Sequence, residues 1–353
     1  MAFDPALAQR FAAKLIGALN DAALGLMISV GHRTGLFDVM RDLAPAGTTE
    51  IALRAGLAER YVSEWLAAMA AAGVVEHDRE SGTFRLPPEH AAALTRAARP
   101  NNLAASFQWI PLLGAVEDEI VKCFAHGGGV PRSSYRRFEA LSAEARDQAV
   151  VASLLERILP LVPGLPARLA SGCDVLDVAC GSGQALARMA EAFPNSRFSG
   201  VDASERAIEL ARIDARGLAN LRFEARDPAH LALADGFDLI TAFDVIHDQP
   251  DPDAVLRSVA GALRCDGIFF MQAIASPAHG GAAHPLATFL YTLSCLHLMS
   301  VSLVGGGGGP GAMGGEAAAR QMLAEAGFAA VEALALSDDP IHRYYVARKS
   351  QEP

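Results

Sequence analysis

Short apolar segments alternate with amphipathic helical segments throughout the chain after Ser171, and this alternation constrains the fold more than any other feature. Seven strands are predicted, at residues 175–178, 198–201, 221–225, 237–243, 268–273, 331–336 and 341–347. Strands and helices in this order predict an α/β domain with a doubly wound parallel sheet. Only a short turn at residues 337–340 separates the last two strands, so they should form a hairpin that leaves one strand antiparallel.

The sequence before Ser171 has helical periodicity and resembles a winged-helix arrangement. We expect two helices within residues 9–40, helices from about Thr49 and over residues 59–72, and a hairpin that turns at Ser81 and Gly82. Residues 88–170 are again helical in pattern, with breaks at 127–131 and 160–166. The predicted organisation is therefore a winged-helix-like domain at 1–95, a helical bridge or lid at 96–170, and a Rossmann-like domain at 171–353 with an insertion at 276–315.

Composition indicates a folded, soluble protein of about two domains. The chain has 353 residues, is 51% hydrophobic and 20% charged, and carries a formal net charge of −10, which disfavours binding to phosphate backbones. Its five scattered cysteines lack a CxxC spacing, so we expect neither disulfides nor a metal site, and a reducing compartment. Residues 1–15 lack the apolar core of a secretory signal, and cytoplasmic localisation is expected. Residues 285–304 are uncharged and long enough to span a bilayer, but their Ser, Thr and His content favours a buried helix.

The segment VLDVACGSGQALARMAEAFPNSRFSGVDAS places a strand, a glycine-containing loop, a helix, a second strand and an acid in succession. Gly181 and Gly183 allow a sharp turn and a close approach of the backbone to a ligand, whose volume a side chain would occupy. Asp202 ends the second strand about 20 residues later, where a carboxylate can accept hydrogen bonds from ribose hydroxyls. The segment therefore predicts a nucleoside-binding site.

Charge distinguishes two candidate cofactors for this site. The carboxylate of Asp177 at the loop would repel a pyrophosphate, whereas S-adenosylmethionine has no phosphate and carries ammonium and sulfonium cations. The third glycine of a dinucleotide-binding GxGxxG motif is also replaced, by Leu186. The sequence thus favours S-adenosylmethionine over a nicotinamide cofactor.

Two later segments extend the predicted site along the carboxyl edge of the sheet. Asp227 could accept a hydrogen bond from an adenine amino group or could be an ordinary turn carboxylate before Pro228. The sequence FDVIHDQ places Asp244, His247 and Asp248 towards the transferred methyl group. If the acceptor is a hydroxyl, His247 is the favoured catalytic base and Asp248 could orient its ring, although His247 could instead pack or cap the next helix.

These motifs resemble those of class I S-adenosylmethionine-dependent methyltransferases, over roughly residues 171–349. The closer resemblance is to a bacterial subfamily with an N-terminal winged-helix domain, similar to small-molecule O-methyltransferases in which that domain dimerises. The resemblance implies methyl transfer to a small-molecule acceptor, a homodimer, and cofactor contacts from Asp177, Ala179, Gly181, Gly183, Asp202, Ala203, Arg226, Asp227, Phe243 and Asp244. Two positions depart from the pattern. Ala179 replaces the first glycine of the motif, which is tolerated if its φ is negative, and Ala273 replaces a usual acidic residue.

Substrate contacts are predicted in the insertion and in the bridge. His284, Tyr291 and His297 lie in the insertion that should cover the acceptor, although a histidine in an apolar helix is more often part of the core. The bridge segment GVPRSSYRRF places Tyr135 near the same opening, and its arginines, including Arg132, are equally consistent with a solvated face.

The alternative function is a ligand-sensing regulator that binds DNA through the helix-turn-helix pattern. Charge disfavours it, because residues 38–89 contain nine acidic residues against five arginines. Trp65, Leu66 and Met69 of the would-be recognition helix are better suited to a subunit interface. We therefore expect no nucleic-acid partner and no membrane association.

Overall fold

The computed structural model describes residues 3–231, 236–275, 284–304, 315–337 and 339–349, and within it the chain divides into two compact units. The N-terminal unit is Met1–Gly114 and the C-terminal unit is Ala115–Pro353. Parts of the predicted insertion, at residues 276–283 and 305–314, lie outside the described residues, and so does its run of five glycines.

The N-terminal unit combines helices with a two-stranded antiparallel hairpin. Its elements are α1 (Pro5–Thr34), α2 (Leu36–Arg41), α3 (Thr48–Ala55), α4 (Glu59–Ala71), β1 (Glu76–Asp78), β2 (Thr83–Arg85), α5 (Pro88–Leu94), α6 (Leu103–Ser106) and α7 (Trp109–Gly114). The predicted pair of N-terminal helices is present, because Gly35 adopts a left-handed conformation with φ 75° that ends α1. The helix–turn–helix and the hairpin also match the prediction.

The core of this unit contains the residues that we expected at a subunit interface. Trp65, Leu66 and Met69 are at most 2% exposed and pack among Phe37 and Ile51. The indole Nε1 of Trp65 donates to the carbonyl of Met27 at 2.9 Å. The interface assignment for these three residues is wrong, because the apolar stripe of α4 stabilises the unit itself.

Helix α1 instead carries the exposed apolar surface. Eight of its residues or their immediate neighbours are 42–81% exposed, namely Phe3, Leu7, Phe11, Leu15, Ile16, Leu19, Leu26 and Val30. Helix α1 and the segment Ala287–Val304 are both long and apolar enough to cross a membrane, by length and composition only, with 11% and 33% of their most apolar windows buried. Such a criterion is also met by apolar helices of soluble proteins.

The C-terminal unit is built on a seven-stranded sheet in the order β5-β4-β3-β6-β7-β9-β8. The strands are β3 (Asp174–Val178), β4 (Arg197–Asp202), β5 (Leu221–Ala225), β6 (Phe237–Phe243), β7 (Leu263–Ile274), β8 (Phe328–Leu334) and β9 (His342–Lys349). Strand β9 is antiparallel to both β7 and β8, and the remaining pairs are parallel. The predicted α/β fold class, with one antiparallel hairpin strand, is confirmed.

Helices cover both faces of this sheet and bury two apolar layers. The helices in these layers are α10 (Leu165–Ser171), α11 (Gln184–Ala192) and α12 (Glu205–Asp214) on one face, and α13 (Pro252–Ala262) and α16 (Gly315–Glu325) on the other. The unit also contains α8 (Glu117–His126), α9 (Phe138–Arg146), α14 (Ala287–Leu293) and α15 (Met299–Val304). A π-helical turn at Ser294–Leu298 joins α14 to α15. From β3 the next strands, β4 and β5, are added towards one edge of the sheet, whereas β6 and β7 are added on the other side of β3. The order of the strands therefore reverses between β3 and β6. The carboxyl ends of β3 and β6 are therefore where an open α/β sheet binds ligands.

Candidate active site

The loop between β3 and α11 is fastened to the end of β4. The backbone N–H of Gly181 donates to Oδ2 of Asp202 at 2.8 Å, and Oδ1 of Asp202 accepts from the N–H of Ser204 at 2.8 Å. Gly181 and Gly183 have φ values of 58° and 72°, which favour glycine. The carboxylate of Asp202 thus shapes the loop, and each of its oxygens keeps a second lone pair for a ligand.

The two glycines are required for different reasons. A Cβ on Gly183 would overlap the ring of Phe223, so this glycine allows β5 to approach the loop and does not leave space for a ligand as predicted. A Cβ on Gly181 would meet the guanidinium end of Arg146, the last residue of α9, which can move aside, so Gly181 is required by its positive φ. Sequence reasoning missed Arg146, since the contact joins parts of the chain 35 residues apart and no motif marks it.

Two non-glycine residues beside the loop also have left-handed backbones. Ala179 has φ 53°, so the condition under which alanine is tolerated here, a negative φ, is not met and the methyl group is retained under strain. Asp244, after the end of β6, has φ 59° and its N–H donates to the carbonyl of Gln272 at 3.0 Å. Strained residues of this kind are concentrated at functional sites, where surrounding contacts hold them.

Asp177 lies near the carboxyl end of β3, paired with Thr241 of β6, where the order of the strands reverses. Its carboxyl group is in a residue only 4% exposed, and Oδ1 accepts from the hydroxyl of Thr241 on β6 at 2.7 Å. Burial raises the pKa of Asp177 to about 7, against the opposing effects of the Thr241 hydrogen bond and the charge of Arg146. The carboxyl group that we expected to repel a phosphate is therefore only partly ionised at neutral pH.

The remaining predicted cofactor residues differ in their surroundings. Asp227 accepts from the N–H of Ala229 at 2.9 Å and lies 3.1 Å from Nδ1 of His230, so its carboxylate acts as a turn cap. The Nη2 of Arg226 donates to Glu224 at 2.6 Å. Ala203 is exposed next to Asp202, whereas Phe243 is buried edge-on against Phe270.

His247 lies between two carboxylates in a short helical turn, Ile246–Asp248. Its Nδ1 is 3.9 Å from Oδ1 of Asp244, and its Nε2 is 3.6 Å from Oδ1 of Asp248. The side chain is 15% exposed, so it is accessible to a small molecule. Both separations exceed a hydrogen bond, as is common for catalytic groups before substrate binds.

An aromatic cluster adjoins this histidine. The ring of His297 stacks on Phe138 with centroids 4.5 Å apart and meets Tyr135 edge-on at 4.8 Å. The guanidinium of Arg132 lies 4.4 Å from the centre of the Phe138 ring, and its Nη2 is 3.3 Å from Oδ2 of Asp248. Arg132 thus joins the cluster to the His247 side and is not simply solvated.

The two histidines predicted in the insertion have different positions. Burial lowers the pKa of His297 to about 4, so this imidazole is neutral at physiological pH. The Tyr135 hydroxyl donates to the carbonyl of Leu296 and fixes the π-helical turn that carries His297. His284 contacts backbone through both nitrogens, to the carbonyl of Pro340 at 2.7 Å and the N–H of Leu286 at 3.1 Å. Tyr291 is half-buried on α14.

Among the described residues, no group of three or more His, Cys, Asp or Glu side chains has the arrangement of a metal site. A polar cluster that sequence reasoning also missed lies beside Asp244. It consists of Asp339, His342 and Tyr344, which lie within six residues of one another at the turn before the last strand.

Comparison with known protein families divides the chain in the same order. Residues 22–96 match the Rv2258c-like winged helix-turn-helix domain, and residues 169–298 match a methyltransferase domain. These matches confirm the predicted combination of domains.

Curated relatives resemble only part of the chain. The ubiquinone biosynthesis O-methyltransferase of Neisseria meningitidis serogroup C is 34% identical over 110 residues, 29% of this chain and 44% of that protein. The trans-aconitate 2-methyltransferase of Deinococcus radiodurans is 33% identical over 155 residues, 44% of this chain and 52% of that protein. The chain thus spans about half the length of the curated relatives it matches.

Solved structures show the same fold over almost the whole chain. Human N-acetylserotonin methyltransferase, solved in complex with SAM, superposes with a TM-score of 0.73 at 14% identity and covers 99% of both chains. The mitomycin 7-O-methyltransferase MmcR superposes with a TM-score of 0.68 at 21% identity, covering 97% of this chain and 99% of its own. The architecture is therefore shared with these two methyltransferases.

Proposed function

We propose that this chain, which joins an Rv2258c-like winged helix-turn-helix domain to a methyltransferase domain of class I fold, transfers a methyl group from S-adenosylmethionine to a hydroxyl of a small molecule. The observation that carries the proposal is the placement of acidic and basic groups at the carboxyl edge of the sheet on both sides of β3: Asp202 holds the β3–α11 loop from the end of β4, and Asp244 and His247 lie together beyond the end of β6. The named relatives, two of which are O-methyltransferases, support an oxygen acceptor.

The residues of the loop fit this cofactor. Asp202 has lone pairs for ribose hydroxyls, and Oδ1 of Asp244 is a buried acceptor for which the described residues provide no hydrogen-bond donor. Carboxylates at these positions favour a ligand with ammonium and sulfonium cations. The guanidinium of Arg146 beside Gly181 is suited to the carboxylate of the same ligand. Ala179, Ala203 and Gly183 would line the site through their backbone.

The protein mainly needs to align the acceptor and exclude water. When bound, S-adenosylmethionine would supply an electrophilic methyl group on sulfur, which is a good leaving group. Closure of the 3.6 Å gap between Nε2–H of His247 and Asp248 on substrate binding would orient the ring, and Nδ1 would then take the proton of the acceptor hydroxyl. Asp244 and Asp248 flank the resulting imidazolium and stabilise its charge.

The aromatic cluster is proposed to bind the acceptor. Tyr135, Phe138 and the neutral His297 form an apolar wall, and Arg132 places a cation at its edge. Such a wall suits a flat, aromatic acceptor. Tyr291 and His284 would contribute at the periphery, since His284 is already engaged with the backbone.

Calorimetry with S-adenosylmethionine and S-adenosylhomocysteine tests the cofactor assignment. We expect both to bind the purified protein, and Asp202→Ala to weaken binding at least tenfold, about 1.4 kcal/mol. Asp202→Asn keeps an acceptor for the Gly181 N–H and separates loss of charge from loss of loop structure. Asp214→Ala, exposed at the end of α12, is the matched control. Preferential binding of NAD would contradict the proposal.

Turnover tests the role of His247. A labelled methyl group should move from the cofactor to an acceptor in a set of hydroxylated aromatic compounds. His247→Ala should keep cofactor affinity and lower kcat by about 100-fold or more. Full activity of this variant would remove His247 from the mechanism.

We further propose that the protein is a cytoplasmic homodimer assembled through α1, without nucleic-acid or membrane partners. The exposed apolar row of α1 is long, since 30 residues of helix extend about 45 Å. A row of this size on a soluble protein favours burial against a second copy. All five cysteines are free thiols, which is consistent with a reducing compartment.

Light scattering tests the assembly. We expect twice the chain mass, and the monomer mass for a variant with both Leu15→Glu and Leu19→Glu, whereas Gln9→Glu on the same helix should stay dimeric. Flotation of the wild-type protein with phospholipid vesicles would point to a membrane surface instead. A salt-dependent shift of a DNA duplex would favour the regulatory alternative.

A further inference from the structure

A second histidine–carboxylate pair lies beside the candidate active site, on the hairpin between β8 and β9. Asp339 is held by several donors: its Oδ1 accepts from the N–H groups of Ile341 and His342 at 3.1 Å each. Its Oδ2 is 2.9 Å from Nδ1 of His342 and accepts from the hydroxyl of Tyr344 at 3.1 Å. The carboxylate is thus fixed in one orientation and in turn fixes the imidazole of His342.

His342 is buried at the start of β9, opposite Ile274 of β7. Because Nδ1 is engaged by Asp339, Nε2 is the nitrogen directed elsewhere, and it lies 4.0 Å from Oδ2 of Asp244. Burial alone would lower the pKa of His342, but the Asp339 hydrogen bond and the charges of Asp244 and Asp339 hold it above its ordinary value. Although burial opposes it, the same contact with His342 holds the pKa of Asp339 below its usual range.

Asp244 consequently lies between two imidazoles. Its Oδ2 faces His342, and its Oδ1 is 3.9 Å from Nδ1 of His247. The same series continues on the other side of His247 to Asp248 and Arg132. Acidic and basic groups therefore alternate from Asp339 to Arg132, drawn from residues more than 200 positions apart in the chain.

This alternation places a basic group behind each carboxylate that flanks the proposed base. His342 lies on the far side of Asp244, and Arg132 lies on the far side of Asp248. A cation behind a carboxylate reduces the negative charge that faces the imidazole, and a catalytic base must be able to accept a proton. The neutral His297 also lies near His247.

We propose that His342, oriented by Asp339, is a positioning residue for methyl transfer that holds the carboxylate of Asp244 against His247. This inference rests on the proposed function for its catalytic meaning, although the arrangement itself can be tested without a substrate. His342 acts through Asp244 and does not touch the acceptor. Its position on the antiparallel strand gives β9 a role in the site as well as in the sheet.

NMR titration of the full-length protein labelled at the histidine rings tests the arrangement. The His342 signal, assigned by its loss in His342→Gln, should titrate with a midpoint above the ordinary value for histidine, and Asp339→Asn should lower that midpoint. His126→Gln, at the exposed end of α8, is the control and should change neither result. A midpoint for His342 at or below the ordinary value would overturn the proposal, whatever the enzyme does.

Kinetics then test the consequence. His342→Gln keeps a hydrogen-bond donor but cannot carry charge, and we expect about a tenfold lower kcat with a smaller change in the KM of the acceptor. The acid limb of the rate profile should move to higher pH, because a cation beside the Asp244–His247 pair has been removed. A merely structural residue would lower stability without moving this limb. Wild-type kcat and an unmoved acid limb in His342→Gln would overturn the proposal, whereas failure of the wild-type protein to bind S-adenosylhomocysteine would overturn the proposed function instead.

Discussion

Replacement of Asp177 by asparagine should stabilise the protein in a manner that depends on pH. Burial raises the pKa of this carboxyl group from 3.8 to about 7. The folded state therefore retains a proton that the unfolded state has released, so the stabilisation is complete below about pH 4 and is lost as pH rises towards 7. Three pH units correspond to about 4 kcal/mol, as an upper bound.

Asparagine resembles the protonated acid and its carbonyl oxygen can accept the Thr241 hydroxyl. Asp177→Asn should thus equal the wild type near pH 4 and exceed it by up to about 4 kcal/mol at pH 8. Urea unfolding at several pH values, followed by far-UV circular dichroism, measures the difference. Both tryptophans, Trp65 and Trp109, lie in the N-terminal unit, so their fluorescence does not report on the unit that contains Asp177. Hydrogen exchange of the β3 amides is therefore measured as a local probe of unfolding.

The reasoning would be refuted by a stability difference that does not change with pH, since a packing effect has no such dependence. Asp214→Asn, an exposed carboxyl group, is the matched control. Cofactor binding provides a second readout. If a bound cation favours the ionised form of Asp177, binding near pH 7 should release about half a proton in the wild type and none in Asp177→Asn, as measured by calorimetry in buffers of different ionisation enthalpy.

Two further substitutions test local features of the site. Ala179→Gly should raise the free energy of unfolding by up to about 1 kcal/mol, because it relieves the strain of an alanine in a left-handed conformation. The urea midpoint measures this gain. A loss of stability would show that the methyl group packs favourably. Tyr135→Phe should lower the free energy of unfolding by about 1 kcal/mol, because the donor to the Leu296 carbonyl is lost. Hydrogen exchange should increase at the π-helical turn. Unchanged exchange there would show that the turn does not depend on Tyr135.

The sequence predicted those parts of the fold that depend on local periodicity. The bounds of β5 and β6 agree with the prediction at both ends, since β5 (LRFEA) alternates apolar and charged residues and β6 (FDLITAF) is mainly apolar. The predicted strand at 268–273 was too short, because β7 begins at Leu263 and the Asp266–Gly267 pair, a common turn sequence, lies inside it where the pairing with β6 shifts register. The hairpin of β8 and β9 followed from the length of its connection alone.

Errors arose where a side chain's surroundings depend on distant parts of the chain. Nothing near Trp65 in sequence shows that α1 and α2 cover it. Gly183 was predicted to leave space for a ligand, but the side chain that excludes a Cβ there is Phe223, on another strand. Nothing near Gly183 in the sequence indicates that contact. The importance of His342 depends on the pairing of β9 with β7, which brings it within reach of Asp244 from almost 100 residues away.

The placement of β9 between β7 and β8 has a consequence for the order in which this sheet can form during translation. Strand β8 has no neighbour in the sheet until β9, made after it, inserts beside β7. A nascent chain that ends before His342 would expose the edge of β7 and an unpaired β8 together, a combination prone to association with other chains. The site beside Asp244 would then be completed only when synthesis of β9 delivers His342, however early the first strands of the sheet have packed.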